Sequence, residues 1–267
     1  MWILIIGGGL FILQNNFKPQ TPTGDTATNK TEKPEITIPE VSDADNLKLG
    51  DQYLALNYPA KAAKFYEAAL AKEPESEILI AKLTSAYLRS DQLPEAAALL
   101  QQALKSNPDS TQLSILAIRT QIAAGKIEEA KNTILTLDEK DPEVSYHKAI
   151  ILILYKQFSQ AEEALKKLDA NNPNIKNLLS AFESHSYYRE SEPEFLQLLL
   201  AKALVDNQEL HAAIPLLFDI LNNKSNYRDA WITLGYTYLN ISKFRESVDA
   251  LSKARDLDPE KSETLFF

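Results

Sequence analysis

The sequence predicts an all-α fold, an α-solenoid of antiparallel helix pairs behind an apolar N-terminal segment. Three observations carry this reading. Pro74, Pro108 and Pro142 fall 34 residues apart, and a fixed period of that length marks a repeat array. Glycine is scarce: Gly7, Gly8 and Gly9 lie in the apolar start and Gly24 in a polar stretch, leaving only Gly50, Gly125 and Gly235. A region so poor in glycine, with Leu and Ala throughout, reads as helical along its whole length. Small residues also recur at matching places among large apolar ones, as helices in close contact require.

Residues 2–13, "WILIIGGGLFIL", carry no charge. As a helix they would reach about 18 Å, against the roughly 30 Å of a hydrocarbon core. No basic stretch precedes them and no small-residue cleavage site follows, which disfavours a secretory signal. The chain has no cysteine to carry a lipid. We expect residues 1–13 to be a transmembrane anchor whose first residues are either missing or mis-started. Residues 14–42 are rich in Thr, Asn, Lys and Pro, with Pro19, Pro22, Pro34 and Pro39 interrupting any helix. They should form a disordered Thr/Pro-rich linker.

From residue 43 the repeat takes over. "LKLGDQYLALNYPAKAAKFYEAALAKEP" (47–74) aligns with "AKLTSAYLRSDQLPEAAALLQQALKSNP" (81–108) and with "WITLGYTYLNISKFRESVDALSKARDLDP" (231–259). Each reads helix, short turn, helix, proline. In the last, Trp231, Leu234, Gly235 and Tyr238 are followed by Ser247, Leu251 and Pro259. In the first, Leu49, Gly50 and Tyr53 are followed by Ala62, Tyr66 and Pro74. The second has Leu83, Thr84, Tyr87, Ala96, Leu100 and Pro108. This pattern resembles the tetratricopeptide repeat, W-x2-L-G-x2-Y…A-x3-F…P.

Three further units keep parts of it: Ala117, Ala130, Ile134 and Pro142; Ala149, Ala161, Leu165 and Pro173, at a shorter spacing of 31; and Leu200, Ala201, Ala213 and Leu217. In the third unit Ile118 occupies the small place. The resemblance covers 43–261 and implies about six units in a right-handed superhelix. Gly50, Ala149, Ala201 and Gly235 on first helices, with Ala62, Ala96, Ala130, Ala161 and Ala213 on second helices, should mark the closest approaches. Residues 174–193 have helix character but no second-helix pattern, so they read as an irregular insert. Residues 262–267 would begin another repeat or form a cap.

The net charge of −9 argues against nucleic-acid binding, which needs a basic surface. His147, His185 and His211 are far apart and lack metal-ligand spacing. Carboxylates sit in runs such as "KEPESE" and "LDEKDPE" that read as solvated helix ends. No catalytic residue, metal ligand, cofactor or small-molecule substrate is singled out, and the chain reads as a non-enzyme.

The resemblance implies instead a groove lined by the first helix of each unit, holding an extended or helical peptide. The alignment places Lys48, Asp51, Ala55, Lys82, Ser85, Arg89, Ile115, Arg119, Ile122, Lys202, Thr233, Tyr236 and Asn240 on that face. Lys48, Lys82, Arg89 and Arg119 would form a basic stripe suited to an acidic or carboxylate-ended peptide. The expected function is a single-pass, membrane-tethered scaffold for a protein or peptide partner, its repeats on the extracytoplasmic side. The rivals are a docking arm for a catalytic domain beyond Phe267 and, on the acidic balance less favoured, an RNA-binding helical repeat.

Overall fold

The computed structural model describes residues 3–6, 9–12, 43–187 and 192–260. The chain divides into two units, 1–40 and 41–267. In the first, β1 (Ile3–Ile6) pairs antiparallel with β2 (Gly9–Ile12), Ile3 opposite Ile12 and Ile6 opposite Gly9. Over 3–6 and 9–12 the backbone is therefore paired strand rather than the helix expected there. Isoleucines favour extended backbone, and a Gly-Gly dipeptide between two apolar quartets is itself a hairpin signal. Among the described residues no helix is long and apolar enough to cross a membrane. The expected linker, 14–42, and the expected cap, 262–267, lie outside the described residues.

Among the described residues the second unit holds thirteen helices: α1 (Asp43–Ala55), α2 (Pro59–Leu70), α3 (Glu77–Arg89), α4 (Leu93–Ser106), α5 (Thr111–Ala123), α6 (Ile127–Ile134), α7 (Pro142–Leu154), α8 (Phe158–Leu165), α9 (Pro173–Tyr187), α10 (Pro193–Asp206), α11 (Leu210–Asn223), α12 (Arg228–Asn240) and α13 (Phe244–Leu257). Six pairs form helical hairpins, α1–α2, α3–α4, α5–α6, α7–α8, α10–α11 and α12–α13, and α9 stands between the fourth and fifth.

Among the described residues one turn is used six times. Asn57, Asp91, Gly125, Lys156, Gln208 and Ser242 each adopt a left-handed backbone, φ 58–73°. Each amide bonds back three residues, and the next amide reaches back five, to Tyr53, Tyr87, Gln121, Leu152, Leu204 and Tyr238, at 2.8–2.9 Å. This paired bonding satisfies carbonyls that a helix end leaves open. Only the third turn uses glycine. The other five accept a left-handed side-chain-bearing residue, at about 1 kcal/mol each, because the hairpin's helix contacts offset it.

The small residues lie where the helices meet. Ala62, Ala96, Ala130, Ala149, Ala161, Ala201 and Ala213 are fully buried, and Gly50 and Gly235 are buried too. A Cβ on Gly50 would lie 2.4 Å from Tyr66, and one on Gly235 would lie 2.6 Å from Leu251. Ser247 Oγ donates to the Gly235 carbonyl at 2.8 Å. Tyr53, Trp231 and Tyr238 are partly buried around these contacts, Leu234 is buried, and Pro259 is exposed.

The insert is held by a polar knot. Asn207, the buried residue that ends α10, donates through Nδ2 to Tyr146 Oη at 3.0 Å and to the Asn174 carbonyl at 2.7 Å. Its Oδ1 accepts from Asn177 at 2.8 Å. One side chain thus joins α7, α9 and α10.

The solenoid also turns inward. The main apolar cluster runs from α5 to α13, with Ile150, Ile153, Leu200, Leu204, Leu217 and Ile220 at its centre. α11 packs on its partner α10 and also on α5 and α7. Hence α11 buries seven residues, where α4 and α13, of equal length, bury three and four. The extra buried positions face back toward the array's earlier first helices.

Candidate functional site

The inward turn creates a cavity of about 160 Å³. Its walls are Ser85, Leu88 and Arg89 of α3, Arg119 and Ile122 of α5, Gln208 and Glu209 of the α10–α11 turn, and Leu210, His211 and Ala212 of α11. The α3 and α5 residues lie on first-helix inner faces. Gln208 takes the left-handed turn position, and α11 starts directly after Glu209.

Arg119 ties the two sides together. Its Nε lies 3.2 Å from Glu209 Oε2, and its Nη2 donates to the Gln208 carbonyl at 3.3 Å. His147 Nε2 approaches Glu209 Oε1 at 3.6 Å, while its Nδ1 lies 2.9 Å from the Glu143 carbonyl. Burial alone would raise the Glu209 carboxyl, but Arg119 and His147 outweigh it and hold the group below its ordinary range. Glu209 also precedes the first turn of α11, yet its side chain does not cap the helix. The carboxylate faces Arg119 and leaves the helix start open.

Arg89 and His211 face the same space. Arg89 Nη2 donates to Asn57 Oδ1 at 2.7 Å, and burial draws its guanidinium below its usual range. Burial pushes the His211 ring down to about 4, so it is neutral at pH 7. Arg89 Nε and His211 Nε2 are both enclosed without a hydrogen-bond partner. Asp91 and Lys243, 3.1 Å apart, link the turn of the second hairpin to that of the last.

The expected basic stripe is thus divided. Lys48 is exposed on α1. Lys82 Nζ lies 2.6 Å from Asp51 Oδ1, which also accepts from Tyr66 at 2.7 Å. Arg89 and Arg119 come together on the cavity. Ile115 and Ile122, expected to face the groove, are 4 % exposed in the apolar core; the correction follows from the packing of α11 on α5. Farther along, Lys202 lies 3.9 Å from Asp229. Asn240 Nδ2 donates to the Tyr236 carbonyl at 2.8 Å, and Thr233 is buried. His147, which its spacing did not mark as a site, is 1 % exposed. Sequence reasoning did not single out Glu209 or His211. The available signal was a His-bearing helix start straight after an acidic turn, which is too common to stand out.

The family described as tetratricopeptide repeat matches residues 53–110 and 87–150. This supports such repeats in that part of the chain, which holds the second and third hairpins, most of the first and the start of the fourth. No curated protein matches. Among solved structures, the chain is similar to a tetratricopeptide repeat protein from Parabacteroides merdae, at 15 % identity and a TM-score of 0.44, covering 84 % of this chain and 96 % of that one. It is similar to PilW, a widely conserved type IV pilus biogenesis factor, at 16 % identity and 0.46, covering 84 % and 96 %. It is also similar to YrrB, a repeat protein with an unusual peptide-binding site, at 14 % and 0.30, covering 84 % and 90 %. None of these bears on what the present chain binds. The repeat matched over 53–150 is the tetratricopeptide repeat, in a chain whose described residues from 43 to 260 fold as an all-α solenoid of helical hairpins.

Proposed function

We propose that the protein is an interaction scaffold that holds a peptide or partner protein on the inner face of its first two hairpins. One observation supports this above the others: that face is unevenly covered. Ile115 and Ile122 of α5 are buried, whereas Lys48, Asp51 and Ala55 of α1 are exposed and Lys82 and Ser85 of α3 are half-exposed. A surface of alternating charge suits an extended partner, because each ionic contact also fixes register. In this reading the charge-free run at 2–13 keeps the scaffold at a membrane, with the repeats on the extracytoplasmic side.

Photo-crosslinking residues placed at Ala55 and Ser85 should capture a discrete partner. The same residue at Lys64, exposed on α2, should not. The double change Lys48→Glu and Lys82→Glu should reduce the adducts. Equal labelling at all three positions, or none, would refute the reading. Deleting 2–13 should release the protein from alkaline-washed membranes, and release of the intact chain under the same wash would remove the tether.

A further inference from the structure

We propose that the cavity between α3, α5 and the start of α11 binds a small aliphatic carboxylate group. The proposal rests on the cavity alone and stands or falls separately from the partner surface on α1 and α3.

The charges set the sign of the ligand. Arg119 is matched by Glu209 at 3.2 Å, and Lys243 by Asp91 at 3.1 Å. Arg89 instead donates to a neutral amide oxygen, Asn57 Oδ1, and its Nε is enclosed with no partner. The opening turn of α11 lacks a side-chain cap, and uncapped helix starts present free amides and the positive end of the helix dipole. His211 adds a second enclosed nitrogen with no partner, Nε2. Enclosed polar atoms are nearly always bonded to something. An oxyanion supplies acceptors for the guanidinium and for the helix amides at once. A neutral His211 completes the set, by donating from Nε2 in the tautomer that places its proton there.

The same walls limit the ligand. The Glu209 carboxylate shares the cavity and repels a second negative charge, so a monoanion fits better than a dianion such as phosphate. Leu88, Ile122 and Leu210 form an apolar side, which suits a hydrocarbon tail. At about 160 Å³ the cavity is well below the roughly 300–1,000 Å³ of drug-sized ligand sites, so the tail is short. A carboxylate with a two- or three-carbon tail meets all three limits, whether as a free acid or as the end of an inserted peptide.

The test titrates the full chain with butyrate, with its neutral isostere butyramide, and with a short aliphatic peptide whose C-terminus is free or amidated. Heat release, thermal midpoint and histidine ring NMR are recorded. The chain has three histidines, so the ring signals are few. Butyrate, or the free-ended peptide, should bind and shift the His211 signals while those of His185 on α9 stay fixed. Which of the two binds identifies the source of the carboxylate. Arg89→Gln should weaken binding at least tenfold, and Ser85→Phe, which fills the space, should abolish it. Each variant's ligand-free midpoint and circular dichroism establish that it is folded. The wild-type ring shifts decide the matter even where a variant does not fold. The proposal is overturned if neither carboxylate moves the His211 signals, if butyramide or the amidated peptide binds equally well, or if folded Arg89→Gln binds as wild type.

Discussion

The substitution Gly50→Ala isolates the contact on which the hairpin packing rests. In a free helix the change is favourable by about 1 kcal/mol. Here the new methyl would lie 2.4 Å from Tyr66 Cε1, 2.6 Å from Cδ1 and 2.9 Å from Cζ. The ring cannot swing aside: Tyr66 is fully buried, and its hydroxyl is bonded to Asp51 at 2.7 Å. Overpacking of this kind costs about 1–3 kcal/mol. Losing a hydrogen bond to a charged group costs about 1.5–3 kcal/mol, and we halve that because Asp51 is half-exposed. The net expectation is a loss of about 2 kcal/mol, a fall of about 4–8 °C in thermal midpoint for a domain of this size. Urea and thermal denaturation followed by circular dichroism measure it. In a Tyr66→Ala background the obstacle is gone, and Gly50→Ala should then stabilise by up to about 1 kcal/mol. If Gly50→Ala raised the midpoint of the wild type, or cost the same in both backgrounds, close approach would not be the reason for the glycine.

Glu209→Gln should destabilise by about 3 kcal/mol in urea, because it leaves Arg119 facing a buried neutral group; the double change with Arg119→Met should recover part of the loss. Asn207→Ala removes the residue joining α7, α9 and α10 and should cost about 2–3 kcal/mol, with faster amide exchange in α9 than in α3. His211 should make the fold acid-sensitive. Its folded value is pushed down to about 4, against about 6.5 when unfolded, so the unfolded chain takes up the proton first. Its contribution is complete above pH 6.5 and is lost as pH falls toward 4, about 2 kcal/mol by pH 5. His211→Gln should therefore narrow the difference in urea midpoint between pH 7.5 and 5, and an unchanged difference would rule the residue out.

Much of the solenoid is legible because each repeat states its contacts locally. The proline period, Gly50 against Tyr66, Gly235 against Leu251, and the alanines of the second helices all concern a helix and its nearest partner in sequence. The insert is legible too, since α9 lacks a second-helix pattern. The turns are half legible. Gly125 announces itself, but Asn57, Asp91, Lys156, Gln208 and Ser242 reach the same left-handed geometry because the hairpin imposes it. The N-terminal run is legible in part: its Gly-Gly dipeptide and isoleucines favour the paired strands seen over 3–6 and 9–12.

The amino-acid order alone determined the all-α class, the hairpin unit and its close-packed pairs, since all of these follow from periodicities within about 34 residues. The tertiary structure decided which inner-face residues remain available. Arg119 meets the Gln208 carbonyl across 89 residues of chain, and no local pattern records that meeting. It arises from small rotations added repeat by repeat, altered by the eight-residue second helices of the third and fourth hairpins and by α9, until α11 lies on α5 and encloses a charged cavity.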